Sequence, residues 1–388
     1  MTSSPVATDI AIIGGGLAGA SLAVQASAHG QRVLLIEREA GPHDKVCGEF
    51  LSHEALLHLR ALDIDPLRLG GMPIDRVRLA TGSAVADVVL PFQGVGLSRR
   101  VLDEALLARA AAGGATLRRG HAATGLDCGP DEQRVRMQDS RVITARHVVL
   151  ATGKHDLRGW KRGPGRQNDL VGFKQHFRLA PDQASRLAGA VELMLFEGGY
   201  AGLQLVEDGQ ATLCLLIRRS RLVQLGGRWT AVLAAAGEDV PLLRQRLADA
   251  QPVQSRPLTI AGIPYGLLAP AATDPARGGV WRLGDQSAVI PSFTGDGMSI
   301  ALHSAALAAR MLHEGRTPDR LQAAMRRDVG RQVAGAALLS LAAVRRPLQR
   351  PLVTIARFAP VLSRAIATAT RIPDAALQRG LAHPSLWS

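Results

Sequence analysis

The sequence of 388 residues is poor in cysteine, in aromatic side chains and in long apolar runs. Its three cysteines, Cys47, Cys128 and Cys214, are too few and too scattered for a disulfide framework or a zinc site, so no metal is predicted. With only 7 Phe, 4 Trp and 2 Tyr, it offers few surfaces on which single-stranded nucleic acid could stack. No run of about 18 apolar residues could span a membrane, and the absence of a signal-peptide pattern favours a cytoplasmic location.

The charge balance is strongly basic. Lys and Arg number 46 against 33 Asp and Glu, which gives a formal net charge of +13. Such an excess is compatible with nucleic acid, with an anionic membrane surface or with no charged partner at all. Its location matters, because seven arginines and no acid lie between Val329 and Arg371. Apolar residues make up 47% of the chain, which together with its length predicts a globular protein with room for two domains.

A dinucleotide-binding fingerprint opens the chain. Residues 8–13 predict a buried strand that leads directly into Gly-Gly-Gly-Leu-Ala-Gly (14–19), which matches G-x-G-x-x-G. An alanine-rich helix (18–28) and a second strand (32–36) follow, and Glu37 ends that strand where a ribose-binding acid is expected. The glycine motif alone is a weak signal, but all five features in this order predict dinucleotide binding.

Each residue of the fingerprint has a physical role. Gly14 permits the tight turn, Gly16 lets the backbone approach a pyrophosphate, and Gly19 lets helix and strand pack closely. The free N–H groups and the dipole of the following helix favour phosphate at its N-terminus. Glu37 is expected to accept hydrogen bonds from ribose hydroxyls and to repel a 2′-phosphate.

Three further segments extend this pattern. They are Lys-Val-Cys-Gly-Glu (45–49), Arg-Arg-Val-Leu-Asp (99–103), and a stretch that runs from Gly-Asp-Gln-Ser (284–287) to Gly-Asp-Gly-Met (295–298). With the fingerprint, they make the sequence resemble the FAD-dependent superfamily of aromatic hydroxylases and geranylgeranyl reductases, to which flavin halogenases are related. The resemblance covers residues 8–310.

The resemblance implies where FAD binds. It implies that Asp285 bonds the ribityl chain, that Arg99 lies near the phosphates, and that the loop 291–298 surrounds the isoalloxazine ring. A helix over 299–312 would direct its N-terminal dipole towards the reduced flavin. The predicted cofactor-binding residues are Gly14, Gly16, Gly19, Glu37, Arg38, Cys47, Gly48, Arg99, Gly284, Asp285, Pro291, Gly295, Gly297 and Met298.

Differences from the family's branches bear on the reaction. Lys45-x-Cys47-Gly48 resembles the reductase segment in which a cysteine faces the flavin, although Cys47 is equally explained as a small buried residue. The Trp-x-Trp-x-Ile-Pro segment of halogenases is absent, so halogenation is not predicted. Ala-Thr-Gly (151–153) replaces the Asp-Gly of hydroxylases, which leaves both NAD(P)H and a separate reductase open as electron donors.

A second domain is predicted to cover the flavin. Strands are expected over 190–197, 200–206, 211–218 and 260–268, with a hairpin turn at Asp208-Gly209 and helices over 229–236 and 242–250. By the resemblance, such a sheet forms the wall of an apolar chamber. The residues predicted to face substrate are Tyr200, Tyr265, Phe293 and His176, and the predicted catalytic candidates are Cys47, Tyr200, Phe293 and His303.

The basic tail is predicted to be helical. Arg350, Arg357, Arg364 and Arg371 recur every seven residues with apolar residues between them, and prolines 351 and 360 are expected to divide the segment into short helices. An arginine-rich apolar helix without acids suits the headgroup region of an anionic membrane. A helical cap with a solvated arginine face accounts for the pattern equally well.

These observations lead to one architecture and three functions. The leading hypothesis is an FAD-dependent monooxygenase that hydroxylates a lipophilic, aromatic or polyketide-like molecule through a flavin hydroperoxide. The alternatives are a flavin-dependent C=C reductase of the geranylgeranyl type and an electron-transfer flavoprotein, and nucleic acid is not an expected partner. The predicted α/β class comprises a Rossmann-like FAD-binding domain (1–75, 95–165, 275–325), an inserted, mostly β substrate-binding domain (76–94, 166–274) and a basic helical C-terminal region (326–388).

Overall fold

Two β-sheets and a set of C-terminal helices make up the computed structural model, which describes residues 8–129, 132–270, 279–359, 368 and 370–381. The predicted α/β class is confirmed. The strands are β1 (Thr8–Ile13), β2 (Val33–Glu37), β3 (Phe50–Leu51), β4 (Met72–Thr81), β5 (Ala84–Gly96), β6 (Thr116–Arg119), β7 (Ala123–Cys128), β8 (Gln133–Met137), β9 (Val142–Leu150), β10 (Leu170–Arg178), β11 (Gly189–Phe196), β12 (Gly199–Leu205), β13 (Gln210–Arg218), β14 (Gln251–Pro252), β15 (Leu258–Ala261), β16 (Leu267–Leu268), β17 (Val280–Arg282) and β18 (Ala288–Val289).

The helices alternate with the strands in the first part of the chain and follow one another at its end. Helix α1 connects the parallel strands β1 and β2, as the fingerprint predicts. The helices are α1 (Leu17–Ala28), α2 (His53–Arg60), α3 (Arg99–Ala112), α4 (Pro181–Leu187), α5 (Arg219–Gln224), α6 (Trp229–Asp239), α7 (Pro241–Arg246), α8 (Gly297–His313), α9 (Pro318–Ala343), α10 (Arg346–Phe358) and α11 (Asp374–Leu381).

The first sheet has a parallel core with the order β6-β2-β1-β9-β17, and the antiparallel hairpin β7-β8 extends it beside the first half of β9. Strands β1 and β2 are almost wholly buried, as expected for parallel strands covered on both faces. Their carboxyl ends, together with those of β9 and β17, lie at one edge. That edge is where ligands bind in sheets of this kind.

The second sheet combines two distant parts of the chain. Strands β3, β4 and β5 form one sheet with the six strands from β10 through β15. Within it, β4 pairs in parallel with β11 and antiparallel with β5. One face of this sheet packs against α6 and α7 through an apolar core that contains Phe173, Leu203, Leu215 and Val232. The opposite face is directed towards the first sheet.

Two local expectations differ from the structure. The strand predicted over 260–268 is two short strands, β15 and β16, separated by Gly262 and Gly266, both in the left-handed region. Pro351 does not end a helix but lies inside α10, because a proline on an exposed face removes only one hydrogen bond from the ladder. Helix α10 ends at Phe358, and Arg364 lies outside the described residues.

Helix α9 packs on β17 of the first sheet and on α8, whereas α10 packs on β4 and β5 of the second sheet. Helix α9 is the longest, and α11 returns to contact α8. In the part of the chain that the structure describes, no helix combines the length and apolar character needed to cross a bilayer.

Candidate active site

A cavity of about 840 Å³ lies between the two sheets, at the carboxyl ends of the parallel strands. It is lined at one end by the glycine fingerprint and at the other by apolar side chains of the second sheet. The predicted cofactor residues that line it are Gly14, Gly16, Glu37, Arg38, Cys47, Gly48, Arg99, Gly284, Asp285, Gly295, Gly297 and Met298. The other two predicted cofactor residues, Gly19 and Pro291, do not line the cavity.

The fingerprint glycines are required by close contacts. Gly14 has a φ of 111°, and a Cβ there would lie 2.4 Å from the carbonyl oxygen of Ala151. A Cβ on Gly19 would lie 1.9 Å from the Gly14 carbonyl oxygen, which is the close packing of helix and strand that the motif predicts. The backbone of this turn is therefore free to approach a bound group.

Glu37 is held in place by two backbone donors. Its carboxylate oxygens accept hydrogen bonds from Gly15 N at 2.7 Å and from Glu39 N at 3.0 Å. The side chain is buried at the end of β2, whereas the neighbouring Arg38 is exposed and pairs with Glu39. An oriented, buried carboxylate at this position fits the ribose of a dinucleotide.

Two cations flank the glycine turn. A Cβ on Gly16 would lie 3.1 Å from the Arg99 guanidinium and 3.5 Å from the Lys45 ammonium. Both side chains bond Asp103, with Lys45 Nζ at 2.8 Å and Arg99 Nε at 2.9 Å. Burial alone would lower the pKa of Arg99, but the Asp103 carboxylate raises it above its usual value. This arrangement supplies positive charge where a pyrophosphate would bind.

Lys45 and Asp103 were not among the predicted cofactor residues. Lys45 belongs to the segment Lys-x-Cys-Gly, and Asp103 follows Arg99 by four residues on α3, so an i,i+4 ion pair was the available signal. Burial alone would raise the pKa of Asp103, but Arg99 and Lys45 lower it. The carboxylate thus remains ionised and orients both cations.

The far end of the cofactor region is formed by β17 and the loop before α8. The Asp285 side chain lines the cavity, and its carbonyl oxygen accepts a hydrogen bond from Arg162 at 2.9 Å. Gly284 N donates to Ser304 Oγ at 2.9 Å, which ties the turn to α8. Gly295 has a φ of 74°, the left-handed conformation that glycine adopts without strain.

Asp296, between Gly295 and Gly297, is fully buried and forms an ion pair with Arg371 from the C-terminal segment. Burial, together with the Glu54 carboxylate, raises the pKa of Asp296 to about 7, although the Arg371 guanidinium opposes the shift. The Arg371 guanidinium also stacks over Phe92, 4.3 Å from the ring centroid. Arg371, predicted in the basic stripe, therefore lines the cavity instead of facing solvent.

Cys47 lies on the cavity wall in a loop organised by Glu49. Glu49 N approaches Cys47 Sγ at 3.4 Å, and Glu49 adopts a φ of 60°. Its buried carboxylate bonds Lys174 Nζ, accepts from Arg99 N at 2.8 Å and pairs with His176 Nε2 at 2.8 Å. Burial alone would raise the pKa of Glu49, but Lys174 and His176 lower it to about 2.

The hydrogen bonds around His176 distinguish its two ring nitrogens. Gln254 Oε1 accepts from His176 N, so the Gln254 amide nitrogen must face His176 Nδ1 and donate to it at 2.8 Å. Nδ1 is then an acceptor, and Nε2–H donates to Glu49. Asp44, Glu49 and His176 bring possible metal ligands within 4.8 Å of one another, but the Lys174 ammonium already neutralises Glu49.

The second sheet forms a largely apolar wall that ends at Lys174. Register places one row of side chains across five strands, on the face towards the cavity, and this row is Leu79, Leu193, Gly202, Cys214 and Lys174. The row two residues away begins with Val88, Val77 and Val191, which also line the cavity. We call this region, closed on its other side by Leu339, Leu352 and Ile355, the apolar chamber.

Three of the four residues predicted to face substrate line the cavity, whereas His176 is buried against Glu49 and Gln254 and does not. Tyr200 and Phe293 line the cavity with their rings in edge-to-face contact at 5.2 Å, and Tyr200 Oη lies 3.2 Å from Ser292 Oγ. Tyr265 also lines it. Burial raises the pKa of both tyrosines, which keeps their hydroxyls protonated at neutral pH.

His303 is placed elsewhere. It is fully buried on α8, pairs with Asp328 at 3.2 Å and does not line the cavity. Its ring packs on His58, whose pKa is lowered to about 3, chiefly by burial and secondarily by His303. This position gives it no contact with a substrate, so we assign it a packing role instead of the predicted acid–base role.

Comparison with known proteins places this site in a family. The family model "Pyridine nucleotide-disulphide oxidoreductase" matches residues 8–204, and the chain belongs to that family. It is a flavin-dependent oxidoreductase by class. The buried Glu37 carboxylate and the Arg99 and Lys45 cations beside the glycine turn fit a dinucleotide such as FAD.

Individual relatives agree with this class. The chain is 26% identical to "Digeranylgeranylglycerophospholipid reductase 2" of Methanopyrus kandleri, over 79% of this chain and 77% of the relative. It is 24% identical to "Menaquinone reductase" of Mycolicibacterium smegmatis, over 80% and 78% of the two chains. Its fold resembles that of the flavin-dependent brominase Bmp2, with a TM-score of 0.75, 17% identity and coverage of 94% and 93%.

Proposed function

We propose that the protein is a flavin-dependent reductase of a carbon–carbon double bond in an elongated lipophilic molecule. The observation that carries this proposal is the apolar chamber. Its wall runs from Tyr200 and Gly202 on β12 across β11 and β4 to Val88 on β5. Three interstrand spacings correspond to roughly 14 Å, which suits an extended hydrocarbon chain better than one aromatic ring.

The names of the two curated relatives support the same choice, since both are reductases with lipophilic compounds in their names. The sequence motifs are compatible with a monooxygenase, but they do not report the length of the chamber. The length and apolar character of the wall now favour the reductase.

The chain's own residues have definable tasks in this reaction. FAD, when bound, supplies hydride-transfer chemistry, and also oxygen chemistry when dioxygen is admitted. Lys45 and Arg99 offset the phosphate charge, and Glu37 and Asp285 fix the two ends of the cofactor. The apolar wall excludes water and orients the substrate chain. Cys47 and Tyr200 place a thiol and a hydroxyl group on the cavity wall, and reduction of a double bond requires one proton beside the hydride.

The monooxygenase is the second candidate, and one observation favours it. The Tyr200 and Ser292 hydroxyls form a polar pair beside the Phe293 ring, close to the loop before α8. Such a pair suits the phenol or carbonyl group of an aromatic substrate. The apolar chamber beyond it would then hold an alkyl substituent.

One experiment separates the candidates. The purified FAD-loaded protein is reduced with dithionite under argon and mixed with a polyprenyl alcohol, then analysed by mass spectrometry and flavin absorbance. The reductase predicts flavin reoxidation without oxygen and a product with two additional hydrogens. A product with one additional oxygen, formed only in air, would favour the monooxygenase, and no organic product in either gas would favour an electron-transfer flavoprotein.

The electron donor is tested in the same way. Stopped-flow mixing with NADH or NADPH reveals direct reduction as bleaching of the flavin band. Ala-Thr-Gly at 151–153 leads us to propose that a separate reductase supplies the electrons, so slow bleaching is expected. Fast, saturable bleaching by either nucleotide would contradict that proposal.

A further inference from the structure

The apolar chamber reaches the surface at a defined opening. Exposed apolar lining residues mark this opening, namely Val89 and Pro91 at the outer part of β5 and Ile355 on α10. We call this opening the mouth. Val89 and Ile355 are 43% and 40% exposed, and helix α10 packs directly on β5. A lipophilic molecule can therefore enter beside α10 without passing the cofactor end of the cavity.

Helix α10 continues the apolar surface outward from the mouth. Leu348, Ile355 and Phe358 follow one another at i, i+7 and i+10, which places them along one side of the helix. All three are exposed, and Phe358 is 73% exposed, whereas Gln349 and Val353 on the opposite side are buried. Phe358 lies next to two other exposed apolar side chains and to the mouth. Exposed apolar patches of this kind mark interaction surfaces.

The charge on α10 indicates what binds there. Arg350 and Arg357 lie seven residues apart on the flank of the apolar strip, and the helix contains no acidic residue. Neither has an acidic partner among the described residues, whereas Arg346 pairs with Glu197 at 3.0 Å. The Arg357 guanidinium lies over the Phe358 ring, 5.2 Å from its centroid. Cations beside exposed apolar side chains match the headgroup and acyl layers of an anionic bilayer.

We propose that the mouth and helix α10 dock on an anionic lipid bilayer, so that the substrate enters the apolar chamber directly from the membrane. Phe358, Ile355 and Leu348 insert between the acyl chains, while Arg350 and Arg357 contact lipid phosphates. The identity of the incoming molecule rests on the proposed function. The docking itself does not, because it is measured without turnover.

The test is co-sedimentation of the FAD-loaded protein with vesicles of phosphatidylcholine, with and without about one-third phosphatidylglycerol. Binding is expected only to the anionic vesicles and should weaken at high salt. The double variant Arg350→Ala/Arg357→Ala should bind at least about tenfold more weakly. A charge-matched control, Arg228→Ala/Arg244→Ala, removes two exposed arginines beside the helices that cover the opposite face of the second sheet, and should bind as the wild type does.

A second measurement locates the contact. In Phe358→Trp, the new indole should be quenched by brominated lipids beyond the quenching of the native tryptophans, and Phe358→Ser should weaken binding. Arg350→Lys/Arg357→Lys should retain it, which guards against a misfolded double-alanine variant. No binding to anionic vesicles, or equal loss in the control pair, would overturn the proposal. A dimer abolished by Phe358→Ser would assign this face to a second copy of the chain.

If vesicle binding is found but no double bond is reduced, only the proposed function fails. If reduction is found but the docking variants bind vesicles normally, only the docking proposal fails.

Discussion

Arg371 and Asp296 form a buried ion pair between the C-terminal segment and the loop before α8. Arg371 is 10% exposed and Asp296 is not exposed at all. The C-terminal segment thus contributes a charged group to the cavity lining, next to Thr370. Any change that weakens the pair acts on the loop that the family resemblance places around the flavin.

The burial of the Asp296 carboxyl predicts a pH-dependent stability. Because the folded-state pKa of Asp296 is raised to about 7 from 3.8, its contribution is fully present below about pH 4 and is lost as the pH rises to about 7. Asp296→Asn should remove this dependence. The variant's free energy of unfolding should change less between pH 4 and pH 8 than that of the wild type, by about 1–4 kcal/mol, since one pKa unit corresponds to about 1.4 kcal/mol.

Urea unfolding at several pH values measures this difference. The matched control is Asp374→Asn, which alters an exposed carboxyl on α11 and should leave the pH profile unchanged. If Asp296→Asn retains the wild-type profile, Asp296 does not titrate in this range.

Glu37 should dominate recognition of the cofactor's ribose. Glu37→Ala removes a carboxylate that two backbone N–H groups orient, and hydrogen bonds to a charged acceptor contribute about 1.5–3 kcal/mol. The Kd for FAD should therefore rise roughly ten- to a hundredfold in a flavin-fluorescence titration. Glu238→Ala, which alters an exposed carboxyl on α6 outside the cavity lining, is the control and should bind FAD normally; an equal loss there would contradict the assignment.

Removing one partner of the buried Lys174–Glu49 ion pair should lower the free energy of unfolding substantially. Lys174→Met leaves a fully buried carboxylate without its cation, which costs about 3–5 kcal/mol of unfolding free energy. The double variant Lys174→Met/Glu49→Gln should recover much of this loss because no charge remains unpaired. Urea titration of the three proteins is the measurement, and additive losses would show that the pair is not coupled.

Chamber length should determine which substrates are accepted. Leu79→Trp places a large ring in the middle of the apolar wall, beyond the proposed reacting end. Rates with long polyprenyl chains should fall about tenfold or more, while rates with a chain of one or two prenyl units should be retained. Val85→Trp, on an exposed position of β5, is the control. Equal losses for short and long chains would indicate that the substrate does not extend along this wall.

Local sequence patterns predicted the parts of the site that are local in the chain. The glycine turn, Glu37 and the Gly-Asp turn at 284–285 each follow a strand, so strand pattern and spacing were sufficient to place them at one edge. The cluster of Glu49, Lys174 and His176 was not predictable in this way. Glu49 precedes Lys174 and His176 by about 125 residues, and it lies in the loop before β3, so only the tertiary fold brings the three side chains together.

The arginine periodicity was a partial guide. It correctly indicated a helix over Arg350 and Arg357, but periodicity reports only angular position on an uninterrupted helix. The chain leaves α10 after Phe358, so Arg371 no longer follows the same repeat and pairs with Asp296. His303, a polar residue within an apolar helix, was predicted as a catalytic candidate. The sequence pattern did not indicate its actual partner, Asp328 on α9.

The parallel pairing of β4 with β11 has a consequence during synthesis. Leu79 emerges from the ribosome about 114 residues before its neighbour Leu193, a delay of roughly 5–20 s at ordinary translation rates. During that interval the β4–β5 ribbon is a nascent hairpin with one unsatisfied edge and an uncovered valine-rich face. The yield of folded recombinant protein should therefore increase with chaperone supply and at lower growth temperature, because both limit aggregation at the unpaired edge.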